Sequence, residues 1–148
     1  MEYTQGVRFD TLSLSPEIMR AIEKRGIEVS TPVQAGCIPP MMDWQDVIAK
    51  APTGTGKTFA YGIPIVEHVD PEDESVQAVI LAPTRELAIQ ITDELRDLAE
   101  FKPGVRTVCL YGGQPIGRQI DTLKKRPQIV VATPGRLSDH MKRRTVVL

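Results

Sequence analysis

Cysteines and long apolar runs are both scarce in this sequence. The two cysteines, Cys37 and Cys109, lie 72 positions apart, and neither has a CxxC or Cys/His spacing nearby. We therefore expect no disulfide framework and no zinc site, but two buried, reduced thiols. No apolar stretch approaches the roughly 18 residues of a membrane span, and the first ten residues lack the order of a secretory signal. The sequence predicts a cytoplasmic protein with no membrane segment.

Charge is divided along the chain. Of the 148 residues, 41% are hydrophobic and 25% are charged, which is typical of one compact domain. Residues 1–101 carry 8 basic and 17 acidic side chains, whereas residues 102–148 carry 10 basic and 2 acidic ones. The basic segment either binds a polyanion or neutralises the acidic segment across the fold, and charge alone leaves both open.

Helices and strands alternate along most of the chain. Ser15-Pro16 and Thr31-Pro32 each place an N-cap before a proline, so a helix is expected to begin at each. Strand-like segments occupy 46–50, 76–83, 105–113 and 127–136, and TVVL at the end looks like a further strand starting. The helices between them carry apolar stripes: Phe59, Ile63 and Val66; Leu87, Ile91, Leu95 and Leu98; Ile116, Ile120 and Leu123. This alternation predicts an α/β fold, a parallel sheet flanked by helices.

The segment APTGTGKT, residues 51–58, follows a predicted strand and precedes a predicted helix. It matches the phosphate-loop pattern G-x-x-x-x-G-K-[ST] except that Ala51 replaces the first glycine. Gly54 and Gly56 would let the backbone turn its amides toward phosphate oxygens. Lys57 can reach the β and γ phosphates, and Thr58 can ligate Mg²⁺. The chemistry indicates a nucleoside triphosphate.

Gln34 is a candidate for reading the base of that nucleotide. A glutamine amide can donate and accept at once, which matches the N6 and N7 edge of adenine and favours ATP over GTP. Taken alone, a glutamine early in a helix is more often a surface residue.

The neighbourhood of Gln34 resembles a known family. GIEVSTPVQ (26–34) is similar to the Q motif of the DEAD-box RNA helicases, and Phe9 lies 17 residues before Gly26, where that family has an aromatic residue that stacks on adenine. APTGTGKT resembles motif I of the family, in which alanine is usual at the first position. The resemblance implies ATP and Mg²⁺ as cofactors. The implied nucleotide site comprises Phe9, Gln34, Thr53, Gly54, Thr55, Gly56, Lys57 and Thr58, with Lys57 and Thr58 catalytic and Thr58 reaching Mg²⁺ together with the nucleotide.

Three further segments resemble family motifs. PTREL (83–87) is similar to motif Ia, Gly112-Gly113 to the GG motif and TPGR (133–136) to motif Ib. Each falls where a predicted strand gives way to a helix, as the phosphate loop does, so all four are expected at one edge of the sheet. Amide-rich helix starts there suit a sugar-phosphate backbone, and the resemblance implies RNA gripped without reading its sequence. The expected RNA-binding residues are Pro83, Thr84, Arg85, Gly112, Gly113, Thr133, Pro134, Gly135 and Arg136.

Two alternative interpretations of these residues stay open. The glycines and threonines at the strand ends could simply cap helices. The other basic residues would either widen the basic surface or form a solvated face. They are Arg118, Lys124, Lys125, Arg126, Lys142, Arg143 and Arg144.

The sequence DEAD, which gives the family its name, does not occur in this chain. The nearest acidic pairs, Asp73-Glu74 and Asp93-Glu94, lie in a predicted loop and inside a predicted helix. Hydrolysis also needs groups that hold the metal and orient water. We therefore expect a partial, P-loop RecA-like domain, incomplete at the C-terminus, that depends on a second RecA-like domain of the same parent chain. Residues 1–45 would form a Q-motif region packed on a core of residues 46–148. Such a piece should bind ATP weakly without hydrolysing it, and its uncovered sheet edge should favour self-association.

Three functions remain open from the sequence. The first is the N-terminal part of an ATP-dependent RNA helicase. The second is a nucleotide-dependent RNA-binding clamp or scaffold that does not unwind. The third is an unrelated P-loop enzyme such as a small kinase, in which Gln34 would not affect nucleotide affinity.

Overall fold

The structure, a computed structural model, describes residues 5–52, 54 and 56–148. The chain forms two compact units, one of residues 1–68 and 97–103 and one of residues 69–96 and 104–148. These units differ from the predicted segments 1–45 and 46–148, whose organisation stays a prediction.

Helices build the first unit, and their starts follow local sequence signals. The elements are a short 3-10 turn at Phe9–Thr11, α1 at Pro16–Lys24, α2 at Pro32–Met42 and α3 at Lys57–His68. The Ser15 hydroxyl accepts from the amide of Ile18, 3.3 Å away, and so caps α1. Thr31 and Gln34 form a reciprocal capping box at the start of α2. Both predicted helix starts are confirmed, and α3 buries Phe59, Ile63 and Val66 as expected.

The strand predicted before the phosphate loop is not formed. Residues 46–50 have no regular secondary structure, and all five are exposed, Ile48 completely. A strand is stable only when neighbouring backbone pairs with its N–H and C=O groups. Among the described residues no strand pairs with this segment. The prediction was wrong because an apolar run supplies side chains for burial but not the pairing partner.

A three-stranded sheet forms the centre of the second unit. Its elements are β1 at Ala78–Leu81, α4 at Arg85–Leu98, β2 at Thr107–Leu110, α5 at Ile116–Leu123, β3 at Ile129–Ala132 and α6 at Pro134–Lys142, and the last two residues of α4 group with the first unit. The strand order is β1-β3-β2, and both pairings are parallel. All four residues of β3 are buried, so both faces of the central strand are covered. The predicted α/β fold, a parallel sheet flanked by helices, is confirmed.

One apolar cluster lies between the sheet and α6. It consists of Val108, Leu110, Val130, Ala132, Leu137 and Val146, with Val76 and Leu123 against it. Val146 enters this cluster because the chain folds back over the end of α6, where the amides of Thr145 and Val146 both donate to the carbonyl of His140. The final TVVL is therefore not a strand, contrary to the prediction, and its last two residues are exposed.

The two remaining predicted apolar stripes agree with the structure to different degrees. On α4 the predicted residues Ile91, Leu95 and Leu98 are buried as expected, whereas Leu87 is 37% exposed, and Ala88 and Thr92 are also buried. On α5 the three predicted residues are only half-buried, and Gln119 is the residue that is enclosed, at 2% exposure. The periodicity therefore located both helices and most of the buried side of α4, but on α5 the most enclosed residue lies one position before the predicted Ile120.

The remaining sequence features agree in part with expectation. The acidic segment 70–75 is an exposed loop, where the Gln77 amide donates to the carbonyls of Asp70 and Asp73. Both cysteines are free thiols, and burial raises the pKa of each. Cys109 is only half-buried, not fully as predicted. In the part of the chain that the structure describes, no helix is long and apolar enough to cross a membrane.

Candidate functional site

The glycine turn lies before α3 in the first unit. Gly54 and Gly56 have φ angles of +83° and +78°, a conformation that residues other than glycine rarely adopt. Thr53 and Thr55 lie outside the described residues. Lys57 is exposed as the first residue of α3, and Thr58 is half-buried in its first turn. The structure thus places exposed glycines and a lysine at a helix N-terminus, where an anion is favoured.

Gln34 connects the start of α2 to this glycine turn. Its Nε2 donates to the carbonyl of Gly56 across 3.1 Å, and its Oε1 accepts from the amide of Thr31 at 2.9 Å. The Gly56 carbonyl also accepts from the amide of Ala60 in the first turn of α3. A Cβ on Gly56 would stand 2.2 Å from Gln34 Nε2. Glycine is therefore required at position 56 by its backbone and by the approach of Gln34.

The remaining hydrogen-bonding capacity of Gln34 bears on base recognition. An amide has two N–H groups and two acceptor positions, and the bonds above use one of each. Pairing with adenine N6 and N7 would use the other two. The side chain is 4% exposed, so this pairing needs a base placed against the small surface that remains.

Phe9 lies in the same unit but is completely enclosed. It begins the 3-10 turn, its amide donates to the carbonyl of Glu28, and the preceding Arg8 forms a β-bridge with Val29. Its relative exposure is 0%. Stacking on adenine would require one face of the ring to become accessible, so this role stays a prediction.

The three motif loops of the second unit open at one edge of the sheet. Leu81, Ala132 and Leu110 are aligned in register at the carboxyl ends of β1, β3 and β2. Motif Ib follows the central strand β3 directly, and motifs Ia and GG follow β1 and β2 after one intervening residue. The expectation of a shared edge is confirmed for these three loops; for the phosphate loop, which follows no strand among the described residues, it stays a prediction.

Motif Ia caps α4 and turns its arginine toward the GG loop. The Thr84 hydroxyl accepts from the amide of Leu87 at 3.2 Å, so the capping alternative is present at this residue. Pro83 and Arg85 are exposed beside it. The Arg85 guanidinium lies 5.3 Å from the centre of the Tyr111 ring, within cation–π distance. Arg85 therefore approaches the segment that begins the GG motif.

The GG and motif Ib loops contain glycines with open space around them, since a Cβ at Gly112 or Gly135 would have nothing within 4 Å. Gly112 and Gly113 are exposed, and the φ of Gly113 is +90°. Thr133 precedes α6, but its hydroxyl makes no capping bond, and its amide donates to the carbonyl of Leu110. Pro134 and Gly135 are exposed in the first turn of α6. At motif Ib the capping alternative therefore fails.

Arg136 differs from the other predicted RNA-binding residues. Its side chain is 15% exposed, and Nη1 donates to the carbonyl of Gln114 at 2.9 Å and to Oε1 of Gln119 at 3.2 Å. Its Nε lies 3.8 Å from the carboxylate of Asp139. The structure thus ties this arginine to the GG loop and α5.

Two buried polar residues beside Arg136 were missed by the sequence analysis. Gln119 is 2% exposed and His140 is 0% exposed, and Nε2 of His140 lies 2.8 Å from Oε1 of Gln119. Burial lowers the pKa of His140, and the charge of Arg136 lowers it further. A signal existed: each is a polar residue three positions after an apolar one, Ile116 or Leu137, on the inward side of its helix.

Part of the additional basic surface lies away from the motif loops. Three of these residues are exposed just before β3, namely Lys124, Lys125 and Arg126. They therefore lie on the side of the sheet where the strands begin, opposite the carboxyl ends that the motif loops follow. Arg126 pairs with Glu74 at 3.3 Å. These three residues form a solvated face and do not widen the anion sites.

The comparison with known proteins identifies the family of this chain. A family model described as DEAD/DEAH box helicase matches residues 31–148. The chain belongs to this family. The matched residues contain the glycine turn and all three motif loops, so the predicted resemblance to DEAD-box helicases is confirmed.

Bacterial RNA helicases are among the relatives of this DEAD-box chain. The DEAD-box ATP-dependent RNA helicase CshA of Bacillus subtilis is 51% identical over 142 residues, which are 96% of this chain and 28% of that protein. CshA of Geobacillus kaustophilus is 53% identical over 140 residues, 95% of this chain and 30% of that protein. The chain therefore spans less than a third of these curated relatives.

Solved structures place the fold in the same family. A DEAD box protein from the hyperthermophile Methanococcus jannaschii superposes with a TM-score of 0.90 and 40% identity, covering 100% of this chain and 39% of that one. A hypothetical ATP-dependent RNA helicase from Sulfolobus tokodaii gives a TM-score of 0.81 and 35% identity over 90% of this chain and 38% of that one. The sheet and helices of this DEAD-box chain thus correspond to a part of each of those proteins.

Proposed function

We propose that this chain is the N-terminal, ATP-binding and RNA-binding part of an ATP-dependent RNA helicase. Its relatives carry that name, and it matches their family over most of its length. The observation that carries the proposal is the hydrogen bond from Gln34 to Gly56, because it joins the segment proposed to read the base to the turn proposed to hold the phosphates.

The glycine turn supports the proposal that the chain binds an adenine nucleotide. The backbone at Gly54 and Gly56 adopts the left-handed conformation of an anion-binding turn, and an added Cβ at position 56 would disturb it. The proposed site is Phe9, Gln34 and residues 53–58. Lys57 would neutralise phosphate charge, and the hydroxyl of Thr58 would bind Mg²⁺ held by the nucleotide. Bound ATP would supply the phosphoanhydride whose cleavage drives release of RNA.

A single strand of RNA would cross the loops of motifs Ia, Ib and GG. These loops share one sheet edge and present amides, glycines and Arg85. Such groups bind sugar and phosphate and carry little information about base sequence. The proposed contacts are Pro83, Thr84, Arg85, Gly112, Gly113, Thr133, Pro134, Gly135 and Arg136.

Hydrolysis would need the rest of the parent protein. In the described residues no group of three or more His, Cys, Asp or Glu side chains could hold a metal ion. We propose that the second RecA-like domain of the parent chain, with further acidic residues, completes the site. The 148-residue chain should therefore release no phosphate from ATP above background, with or without RNA, in a steady-state assay.

Replacing Gln34 tests the proposed nucleotide site. Gln34→Ala should reduce the preference for ATP over GTP, measured with fluorescent analogues of both, by about tenfold, because a bidentate amide contact to a base is worth roughly 1–3 kcal/mol. Ser15→Ala is the matched control, since it removes the helix cap of α1 and a hydrogen bond to Glu67, which lies at the end of α3 away from the glycine turn. Unchanged discrimination in Gln34→Ala would mean that Gln34 does not read the base of the nucleotide.

A further inference from the structure

The side chain of Gln119 uses its full hydrogen-bonding capacity. Its Nε2 donates to the carbonyl of Tyr111 and to Oε1 of Gln114, each at 2.9 Å. Its Oε1 accepts from Nη1 of Arg136 at 3.2 Å and lies 2.8 Å from Nε2 of His140. An amide offers two donors and two acceptor positions, so none is left over.

These partners fix the orientation of the amide. A backbone carbonyl such as that of Tyr111 can only accept, so the atom facing it must be Nε2. Oε1 then faces Arg136, which can only donate, and His140 must carry a proton on Nε2 to complete the contact. On its other side, His140 Nδ1 lies 2.8 Å from the hydroxyl of Thr145.

The four partners of Gln119 belong to two of the proposed RNA-binding loops or to the helix behind them. Tyr111 and Gln114 flank Gly112-Gly113, and Arg136 ends the TPGR segment. Arg136 also donates to the carbonyl of Gln114, so the GG and motif Ib loops are joined twice. Neither loop has a side-chain cap that would hold it independently, because no such bond is made at Pro115 or Thr133.

We propose that Gln119 is a positioning residue that holds the GG loop and the motif Ib loop at a fixed separation for RNA. This inference rests on the proposed RNA-binding function. Gln119 itself is buried and does not touch RNA. Its effect is to order the loops beforehand, so that binding does not have to supply the entropy of ordering them.

The same unit contains a matched control. Gln128 is also buried, at 0% exposure, and its amide accepts from the backbone of Arg106 and donates to the carbonyls of Pro71 and Gly104. Gln128 directly precedes β3, at the opposite edge of the sheet from the motif loops. Its loss should remove a comparable set of buried hydrogen bonds without affecting the loops.

The first experiment measures affinity for RNA. Binding of the chain to fluorescent oligo(U) should weaken by about tenfold in Gln119→Leu, and by less than about twofold in Gln128→Leu. Urea unfolding of both variants establishes that each is folded under the assay conditions. Gln119→Glu is the second variant, because it keeps the acceptors for Arg136 and His140 but loses the donors to Tyr111 and Gln114. It should also weaken binding.

The second experiment follows the loops without RNA. Amide hydrogen exchange at residues 112–114 and 133–136 should become faster in both Gln119 variants and remain unchanged in Gln128→Leu. Equal effects of the Gln119 and Gln128 variants on affinity and on exchange would overturn the proposal, because Gln119 would then contribute only general stability. If the unmodified chain fails to bind oligo(U), the proposed function is wrong, and the exchange measurement still decides whether Gln119 orders the loops.

Discussion

The carbonyl oxygen of Gly56 accepts two hydrogen bonds, one from the amide of Ala60 in α3 and one from the side chain of Gln34. One residue thereby ends the glycine turn, starts a helix and fixes the amide proposed to read the base. Gly54 shares the left-handed backbone but has nothing within 4 Å of its Cβ position. Substitutions at these two glycines therefore distinguish the free-energy cost of backbone strain from the cost of losing the contact with Gln34.

Gly56→Ala should destabilise the chain more than Gly54→Ala does. Each alanine is strained at a positive φ, at a cost of about 1–3 kcal/mol. Gly56→Ala should cost roughly 1 kcal/mol more, because the methyl group displaces the Gln34 amide and breaks its hydrogen bond. Free energies of unfolding in urea measure both changes. Equal losses would mean that the Gln34 contact contributes nothing to stability.

His140 makes stability depend on pH in a defined direction. Burial, and next the charge of Arg136, lower its pKa in the folded state, so the unfolded chain binds the proton more readily. The stability contributed by neutral His140 is thus present above the unfolded pKa of about 6.5 and is lost as the pH falls below it.

The free energy of unfolding should therefore fall between about pH 7.5 and 5.5, by at most about 1.4 kcal/mol per pH unit for this proton. His140→Gln retains a donor for Gln119 and should remove most of that slope. The control is Gln128→Leu, which removes buried hydrogen bonds but no titrating group and should leave the slope in place. A slope that persists in His140→Gln would assign the effect to other groups.

Local signals in the sequence predicted where helices begin, because a cap and a proline act within one turn. Ser15-Pro16 and Thr31-Pro32 illustrate this, and both helices start where expected. The segment 46–50 shows the limit, since strand formation depends on a partner that local sequence does not contain. The roles of Gln119 and Arg136 were hidden for the same reason, because their hydrogen bonds join residues 5 to 22 positions apart.

If RNA binds to the three motif loops, we expect its affinity to depend on salt concentration. Arg85→Ala should weaken binding to oligo(U) and oligo(A) to the same extent and reduce the slope of log affinity against log salt by roughly 0.7, as for one lost phosphate contact on a single strand. Lys125→Ala changes the charge equally, but at the opposite edge of the sheet, and should have little effect. If the two variants behave alike, net charge and not the loops governs binding.

Apolar side chains remain exposed on β1, an edge strand of the three-stranded sheet. β1 pairs only with β3 among the described strands, and Val79 and Leu81 on it are 37% and 57% exposed. Leu81 also lines a largely apolar groove of about 410 Å³ with Leu137 and Met141 of α6. An unpaired strand edge beside apolar surface promotes association, so we propose that the 148-residue chain associates with itself through β1.

A charge placed on this edge should oppose that association. Leu81→Lys should shift the chain toward monomer in sedimentation velocity over a range of concentrations, because a lysine would have to be buried for β1 to pair with another copy. Ile48→Lys changes an equally apolar and fully exposed residue that lies outside every strand. If Ile48→Lys restores the monomer and Leu81→Lys does not, the contact lies in the first unit and the β1 edge is not the interface. A monomer at all concentrations without any substitution would show that the exposed edge does not drive association.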